Sequence, residues 1–439
     1  KDNDCIVWFV LVIIERSWGL MRYNFDADVI VVGAGPAGAR TAALLSERGH
    51  SVIVLEEHQE VGFPVHCSGF ITPRTLDIAQ IESSIVMNSV KGALVYSNNK
   101  AKPLILGGDI ERAVVVDREL FDKSIASSSG DSGASFKMNN KVVSVQRKDS
   151  FVEVLAIHDK KPIKYLARCV VGADGVRSIV AKDLGRDSGE MIWCIGAEAR
   201  LEGHPMDMVR IYASQDLAPG WFGWSIPTGT NRVRIGIGAA MHSTSLKPRK
   251  LLNDLLNEFP EHFKGIEIIS FGGGFIPLYS ASSTYNDRAL LVGDAALQVK
   301  PTSGGGIYTS LKAASYAAQA INENLDEDSL DNESLSVYQK NWTEDFGQEM
   351  QRGLDIRQVY LGLGDDKLNR LMDIFRLPLF RSKINNYGDI DYPSKMFGIL
   401  VGLAPILKGL LGLPDLLPVS WKNVVDSRQW DVIHKDLLN

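Results

Sequence analysis

"DVIVVGAGPAGARTAALLSERGHSVIVLEEH", residues 28–58, reads as a strand, a glycine turn, a helix and a second strand. Asp28–Val32 is an apolar run of the kind buried on both faces of a parallel sheet. Gly33, Gly35 and Gly38 follow in the spacing Gly-x-Gly-x-x-Gly, with Pro36 and Ala37 inside it. Gly33 permits the tight turn, Gly35 lets backbone approach a pyrophosphate, and Gly38 lets the helix pack on the strand. Ala39–Arg48 has helical spacing and Gly49 closes it. The start of that helix offers free N–H groups and a positive dipole end to phosphates. Val52–Leu55 is the second parallel strand, and Glu56 ends it 18 residues after Gly38, where an acid accepts both ribose hydroxyls. The glycines alone would be a turn; with strand, helix and acid in place they predict a dinucleotide site in an α/β fold.

The chain has 439 residues, enough for two or three domains or one discontinuous fold with an added lobe. A net charge of −6 argues against a nucleic-acid partner, which calls for a basic face. Cys5, Cys67, Cys169 and Cys194 are far apart and form no Cys-x-x-Cys or His/Cys cluster, so they predict free thiols and neither a disulfide frame nor a metal site.

Further along, residues 114–130 predict a strand and an amphipathic helix, residues 141–172 a hairpin and another apolar strand. Residues 186–285 alternate and turn on glycine and proline, as a β-rich lobe does. "FGGGFIPL" (271–278) lacks the acid of a second nucleotide site and is expected to be a strand-end bulge. Residues 288–296 return to a buried strand, and 304–325 predict a long helix. Domains are expected at 21–185 with 286–325 (a discontinuous nucleotide-binding domain, of which 70–112 belongs partly to the substrate lobe), at 186–285 (a β-rich substrate domain) and at 326–439 (a C-terminal helical region). The fold class is therefore α/β (α+β): a Rossmann-like domain with an inserted antiparallel sheet and helices at its end.

Two later motifs choose the nucleotide. "VVGADGVRSIVAKDLG" (170–185), with Asp174, matches the Asp-Gly motif of flavin hydroxylases, and "ALLVGDAALQVKPTSGGGI" (289–307) matches their Gly-Asp motif. Asp294 follows a buried strand, where it can meet a ribitol chain. Gly304–Gly306 open a helix whose N-terminus can face the flavin edge that becomes negative on reduction. The chain resembles the FAD-dependent geranylgeranyl reductases of the p-hydroxybenzoate hydroxylase superfamily over Asp26–Leu325, and more weakly beyond. "EEHQEVGFPVHCSG" (56–69), "PGWFGWSIP" (219–227) and "PTSGGGI" (301–307) carry the resemblance. It departs at Phe222, where the family has Tyr, at Ile226, where it has Phe, and at Leu297, which replaces a small or polar residue. No role resting on a hydroxyl at position 222 carries over.

The resemblance implies FAD, held by Ala37, Glu56, Cys67, Ser68, Gly69, Arg118, Val142, Asp294, Gly306 and Ile307, with Val142 resting on the resemblance alone. It implies reduction of isolated C=C bonds in geranylgeranyl chains of isoprenoid ether lipids. Chlorophyll-pathway reductases share the motifs more loosely. An isolated trisubstituted alkene has no carbonyl to stabilise a carbanion. Its reduction calls for protonation toward a tertiary cation with hydride arriving at nearly the same time. The site must hold reduced flavin, exclude water with an apolar slot and keep a proton donor in place. An ordinary thiol is protonated at neutral pH. Cys67, between loop glycines, is expected either to position the alkene or relay the proton, or else only to pack on the ring. His66 is expected to be a loop histidine facing solvent or phosphate. Trp221, Phe222 and Trp224 wall the substrate slot, or else pack in the sheet core. Rival functions are an aromatic monooxygenase and a prenyl-lipid carrier that keeps flavin as structure.

The electron donor is expected to be NAD(P)H or a ferredoxin-like carrier. "MFGILVGLAPILKGLLGLPDLLPVSW" (396–421) is apolar but broken by Pro405 and Pro414, which disfavours a spanning helix. It reads either as a lipid-facing lobe or as a cap on the β lobe. "CIVWFVLVII" (5–14) is too short to span a bilayer. Residues 1–20 are expected to lie outside the fold, upstream of a start at Met21, or else to dip into a membrane. Cytoplasmic placement with peripheral membrane contact is the expected localisation.

Overall fold

The computed structural model describes residues 24–98, 102–245 and 247–393. Its first sheet has eight strands in the order β17-β18-β11-β1-β2-β8, with β9 and β10 folded back on β11. These are β1 (Ala27–Val32), β2 (Val52–Leu55), β8 (Ser135–Lys137), β9 (Lys141–Arg147), β10 (Val152–His158), β11 (Lys161–Gly172), β17 (Tyr285–Asn286) and β18 (Ala289–Leu291). β1 lies between β2 and β11, parallel to both, with Val29 opposite Val52 and Cys169. This central place explains why its sequence is apolar without alternation. One face buries Val29, Val31 and Val54 under α1 (Pro36–Ser46) and α6 (Ile307–Leu325), whose Ala42, Leu45, Ala313, Ala317 and Ile321 share one core. The other face buries Ile30, Val32 and Ile53 with Val152, Val154 and Val180. Pro36 sits in the first turn of α1, where its missing N–H costs nothing.

A second, seven-stranded sheet runs β16-β12-β15-β14-β13-β5-β6. It comprises β5 (Gly92–Tyr96), β6 (Leu104–Gly107), β12 (Met191–Arg200), β13 (Met208–Tyr212), β14 (Gly223–Gly229), β15 (Arg232–Ala240) and β16 (Glu267–Pro277). One face is loaded with Ile195, Ile235, Ile237, Tyr212, Phe259 and Phe263 against Leu251, Leu252 and Leu255 of α5 (Pro248–Glu258). A three-stranded sheet of β3 (Phe70–Ile71), β7 (Ala113–Val116) and β4 (Val86–Val90) lies between the two in sequence and carries α2 (Pro73–Ala79) and α3 (Arg118–Asp131) beside it. α4 (Ile179–Asp183) follows β11. α7 (Asn332–Trp342) passes through a π-turn into α8 (Gln348–Leu361), and α9 (Asp365–Phe375) and α10 (Pro378–Tyr387) complete the described helices.

One expectation fails. Gly272, Gly273 and Gly274 are not a bulge at a strand end. They lie inside β16, opposite Gly196, Ile195 and Cys194, and the register shift falls earlier, between Glu198 and Ala199. The segments 1–20 and 396–421 lie outside the described residues. Among the described residues no helix is long and apolar enough to cross a membrane, and no group of three or more His, Cys, Asp or Glu is placed to hold a metal.

A Cβ at Gly38 would stand 2.0 Å from the Gly33 carbonyl oxygen and 3.0 Å from the Ala173 Cβ. Backbone cannot yield there as a side-chain tip would. Gly38→Ala is expected to cost about 2–3 kcal/mol, as overpacking does, read as a lowered thermal midpoint of the flavin-free protein.

Candidate functional site

Three turns meet at the carboxyl end of the first sheet. Gly33 has φ +97°, and a Cβ there would lie 2.4 Å from the Ala173 carbonyl oxygen and 3.0 Å from the Asp174 Cα. A Cβ at Gly293 would touch Ala37 and Ser310, each at 3.2 Å. The glycine turn after β1, the Asp-Gly turn after β11 and the Gly-Asp turn after β18 are thus in contact, although the sequence spreads them over 260 residues, from 33 to 293. Both long helices that leave this edge, α1 and α6, begin at glycines (Gly35 and Gly306) with no side chain capping their first N–H groups. Space beside Gly35 is open to 4 Å. Two uncapped helix starts and an open glycine are what an anionic dinucleotide requires.

The acidic residues take different roles. Glu56 Oε2 accepts the Ala34 N–H at 2.8 Å, which locks the end of β2 against the glycine turn. Asp174 turns inward: Ser178 Oγ donates to Oδ1 at 2.5 Å and the Ile179 N–H to Oδ2 at 2.7 Å. It therefore shapes the turn and starts α4, a duty the sequence does not reveal. The Asp294 carboxylate accepts no hydrogen bond among the described residues, and a Cβ at Gly306 would sit 3.3 Å from its Oδ1. Burial pushes its carboxyl from an ordinary 3.8 up to about 6, while Arg118 pulls the other way. Val142 is buried in the core with Ile30 and Val154, so only its backbone is free to meet a ligand.

The thiol loop, 62–69, reaches the site from the other side. Arg118 grips Asp122 through two oxygens, both at 3.0 Å. Burial works against the Arg118 charge, but the Cys67 sulfur and the Asp122 carboxylate outweigh it and raise its pKa. Gly69 N–H donates to the Cys67 sulfur at 3.5 Å. Gly69 has φ +68°, and a Cβ there would meet the Val116 carbonyl oxygen at 2.4 Å, Arg234 Nη1 at 2.6 Å and Arg118 Cγ at 3.3 Å. Cys67, Gly69 and Arg118 therefore come together, with Asp294 within electrostatic range of Arg118. Cys67 and Ser68 are half-buried, while His66 is exposed.

The facing sheet is paved with glycine. Gly272, Gly196 and Gly236 stand in one row across β16, β12 and β15, ending at Trp224 of β14. Gly274, Cys194 and Gly238 form the next row. Residues directly opposite one another share a face. The Trp224 ring lies over Gly236, where a Cβ would be 2.2 Å from it, and Trp221 lies over Gly238 at 2.5 Å. A Cβ at Gly272 would stand 3.3 Å from the loop carbonyl of Val65. Between these walls a Cβ at Gly274 would meet nothing within 4 Å, and one at Gly196 would meet only the Ile235 carbonyl, at 3.4 Å. The result is a narrow trough between an indole and the thiol loop. Trp221 is only 2% exposed, so it packs in the core and does not line the open trough. It stacks on Phe222 at 4.9 Å and faces the Gly304 turn, where a Cβ would stand 3.0 Å from its ring, while Arg357 lies 5.3 Å over its ring. Phe222 and Trp224 are half-buried.

Sequence reasoning misses two elements here. One is the trough floor, although "RIGIGAA" (234–240) does place Gly236 and Gly238 on one strand face. The other is Arg234, whose partners are remote in sequence.

A family model described as an FAD binding domain matches residues 26–344. The digeranylgeranylglycerophospholipid reductase of Methanosarcina acetivorans is 31% identical over 81% of this chain and 90% of its own length. This chain belongs to the FAD-dependent geranylgeranyl reductase family. As a member, it is an FAD-dependent oxidoreductase. An uncharacterized protein of Methanocaldococcus jannaschii is 30% identical over 89% of this chain and 99% of its own length. A geranylgeranyl bacteriochlorophyll reductase-like protein of Thermoplasma acidophilum has the same fold, with a TM-score of 0.79 at 24% identity over 89% of this chain and 99% of that one. The open space at Gly35, the two uncapped helix starts and the Asp294 carboxylate suit a phosphate-rich, hydroxyl-bearing cofactor.

Asp294 makes the flavin-free protein sensitive to pH. Its folded pKa lies above the unfolded value, so the folded protein keeps a proton that the unfolded chain releases. Stability from this group is full below pH 4 and is lost as pH rises through about 6, a loss on the order of 3 kcal/mol. Asp294→Asn is expected to remove this slope and raise the thermal midpoint of the flavin-free protein at pH 7.

Proposed function

We propose that the protein hydrogenates isolated C=C bonds in geranylgeranyl chains of isoprenoid ether lipids. The observation that carries this is the glycine-floored trough opposite the thiol loop. Side chains are missing at Gly196, Gly272 and Gly274, and a Cβ built at Gly274 would meet nothing within 4 Å, which leaves strand backbone open to an apolar chain. Relatives named digeranylgeranylglycerophospholipid reductase, at about 30% identity, support the substrate class. An aromatic monooxygenase would need polar groups to hold a ring hydroxyl. This trough instead offers an indole, backbone and glycine.

When bound, reduced FAD supplies the hydride. The protein's own residues do the rest. Glu56, Arg118, Asp294 and the starts of α1 and α6 hold the cofactor, together with Gly33, Gly35, Pro36, Ala37, Gly38, Ser68, Gly69, Gly306 and Ile307. Phe222, Trp224 and the bare strand floor enclose the lipid and exclude water, so that a developing cation is not quenched by solvent. Cys67 positions the alkene or passes it a proton, with Arg118 beside it. The partners proposed are the lipid, NAD(P)H or a small ferredoxin-like carrier as donor, and a membrane surface at the protein's periphery. Chlorophyll-type reduction would use the same site and differ in substrate alone.

Photoreduced protein mixed without oxygen with a geranylgeranyl ether lipid is expected to reoxidise its flavin and yield saturated lipid. Reoxidation by oxygen alone would refute the proposal. Gly196→Leu is expected to fill the trough and slow this reaction by about a hundredfold with FAD still bound, in line with lost near-attack geometry. Cys67→Ala at equal flavin occupancy is expected to slow it at least tenfold if the thiol handles the proton; an unchanged rate would leave Cys67 a packing role only.

A further inference from the structure

Arg234 lies on β15, in the sheet that carries the trough, yet most of its hydrogen bonds leave that sheet. Its Nη1 donates to the Ser68 carbonyl at 2.8 Å and to the Val116 carbonyl at 3.0 Å. Its Nε donates to Glu198 Oε1 at 3.0 Å. Nη2 contacts the Met87 sulfur at 3.6 Å. The residue is only 8% exposed.

The two carbonyls are the informative partners. Ser68 directly follows Cys67, and Val116 lies two residues before Arg118. One nitrogen therefore ties the segment bearing the thiol to the segment bearing the cation beside it. Gly69 leaves the space for this nitrogen, because a Cβ there would lie 2.6 Å from it. The glycine that follows the thiol by two residues is thus required by an arginine from another sheet. Without the guanidinium, two carbonyl oxygens would face each other with no shared donor, and the loop would move to find water.

We propose that Arg234 is a positioning residue: it fixes the thiol loop against the end of β7 and so sets where Cys67 stands relative to Arg118 and to the trough. It touches neither cofactor nor lipid in this role. The proposal rests on the functional assignment above for its effect on turnover, but not for its effect on the loop.

The test is alkylation of Cys67 by iodoacetamide in FAD-loaded protein at fixed pH, followed by peptide mass mapping. Arg234→Gln is expected to raise the Cys67 rate about five-fold or more by freeing the loop, with the buried Cys169 and Cys194 still unreactive. Arg234→Lys, which can serve one carbonyl but not both, is expected to fall between. With the lipid as oxidant, Arg234→Gln is expected to lower kcat about tenfold or more with KM within about twofold, the pattern of a lost transition-state arrangement. Folded Arg234→Gln with a wild-type alkylation rate would overturn the proposal. If that variant does not fold, Arg234→Lys decides on the same readout. A raised alkylation rate in a protein whose wild type never reduces the lipid would uphold the positioning role and refute the substrate assignment.

Discussion

The close approach of backbone to backbone where Gly33 meets Ala173 and Gly38 governs the architecture. A Cβ at Gly33 or Gly38 would lie within 2.4 Å of a carbonyl oxygen. The parallel strands β1, β11 and β18 can sit side by side with their turns touching only because those positions are bare. The same contact gathers two helix starts and Asp294 at one edge. The two helix starts contribute positive potential from aligned backbone, and the Arg118 guanidinium adds a cation within electrostatic range of Asp294.

The second sheet is joined to this edge by few interactions, each specific. Arg234 reaches the thiol loop, and Trp221 presses on the Gly304 turn. From the other side, Arg357 of α8 donates to the Gly220 carbonyl at 2.8 Å and pairs with Glu190, and Tyr360 donates to the Trp221 carbonyl at 2.7 Å. A further buried pair, Lys300 with Asp391 at 2.7 Å, is completed by Thr72, which donates to the second Asp391 oxygen at 2.5 Å. Buried ion pairs add little net stability but fix geometry when every oxygen is used. The joints of this protein are of that kind, so the trough and the cofactor edge are held in register by polar fasteners over an apolar contact.

The first sheet was legible in sequence because its strands are buried on both faces and its turns carry glycine and acid at fixed spacing. Glu56, Gly33 and the start of α6 could be placed from residue type alone. The trough could not. Glycine weakens strand propensity, so "FGGGFIPL" imitates a turn and hides an interior strand. Asp174 looked like a ligand residue because the motif is shared, yet its oxygens serve Ser178 and the Ile179 N–H. From sequence Trp221 fits either a slot wall or the sheet core, and at 2% exposure it is in the core. Arg234 left no local signal, since its partners are main-chain oxygens 118 and 166 residues away. Side chains that bind backbone have no complementary letter in the sequence.

The two faces of the seven-stranded sheet are unequal. One carries Ile195, Ile235, Ile237 and Tyr212 under α5 and the Phe259 and Phe263 that follow it, with the Tyr212 and Phe259 rings 4.6 Å apart and tilted. The other is nearly naked at Gly196 and Gly274. Rigidity is thus supplied from behind, and the bare face contributes little to cohesion. Such a division of labour frees the bare face to change: a methyl added at one of its open positions would narrow the acceptable guest while leaving the aromatic backing intact. Selectivity and robustness in this protein are therefore drawn from opposite sides of the same strands, and can drift apart from one another.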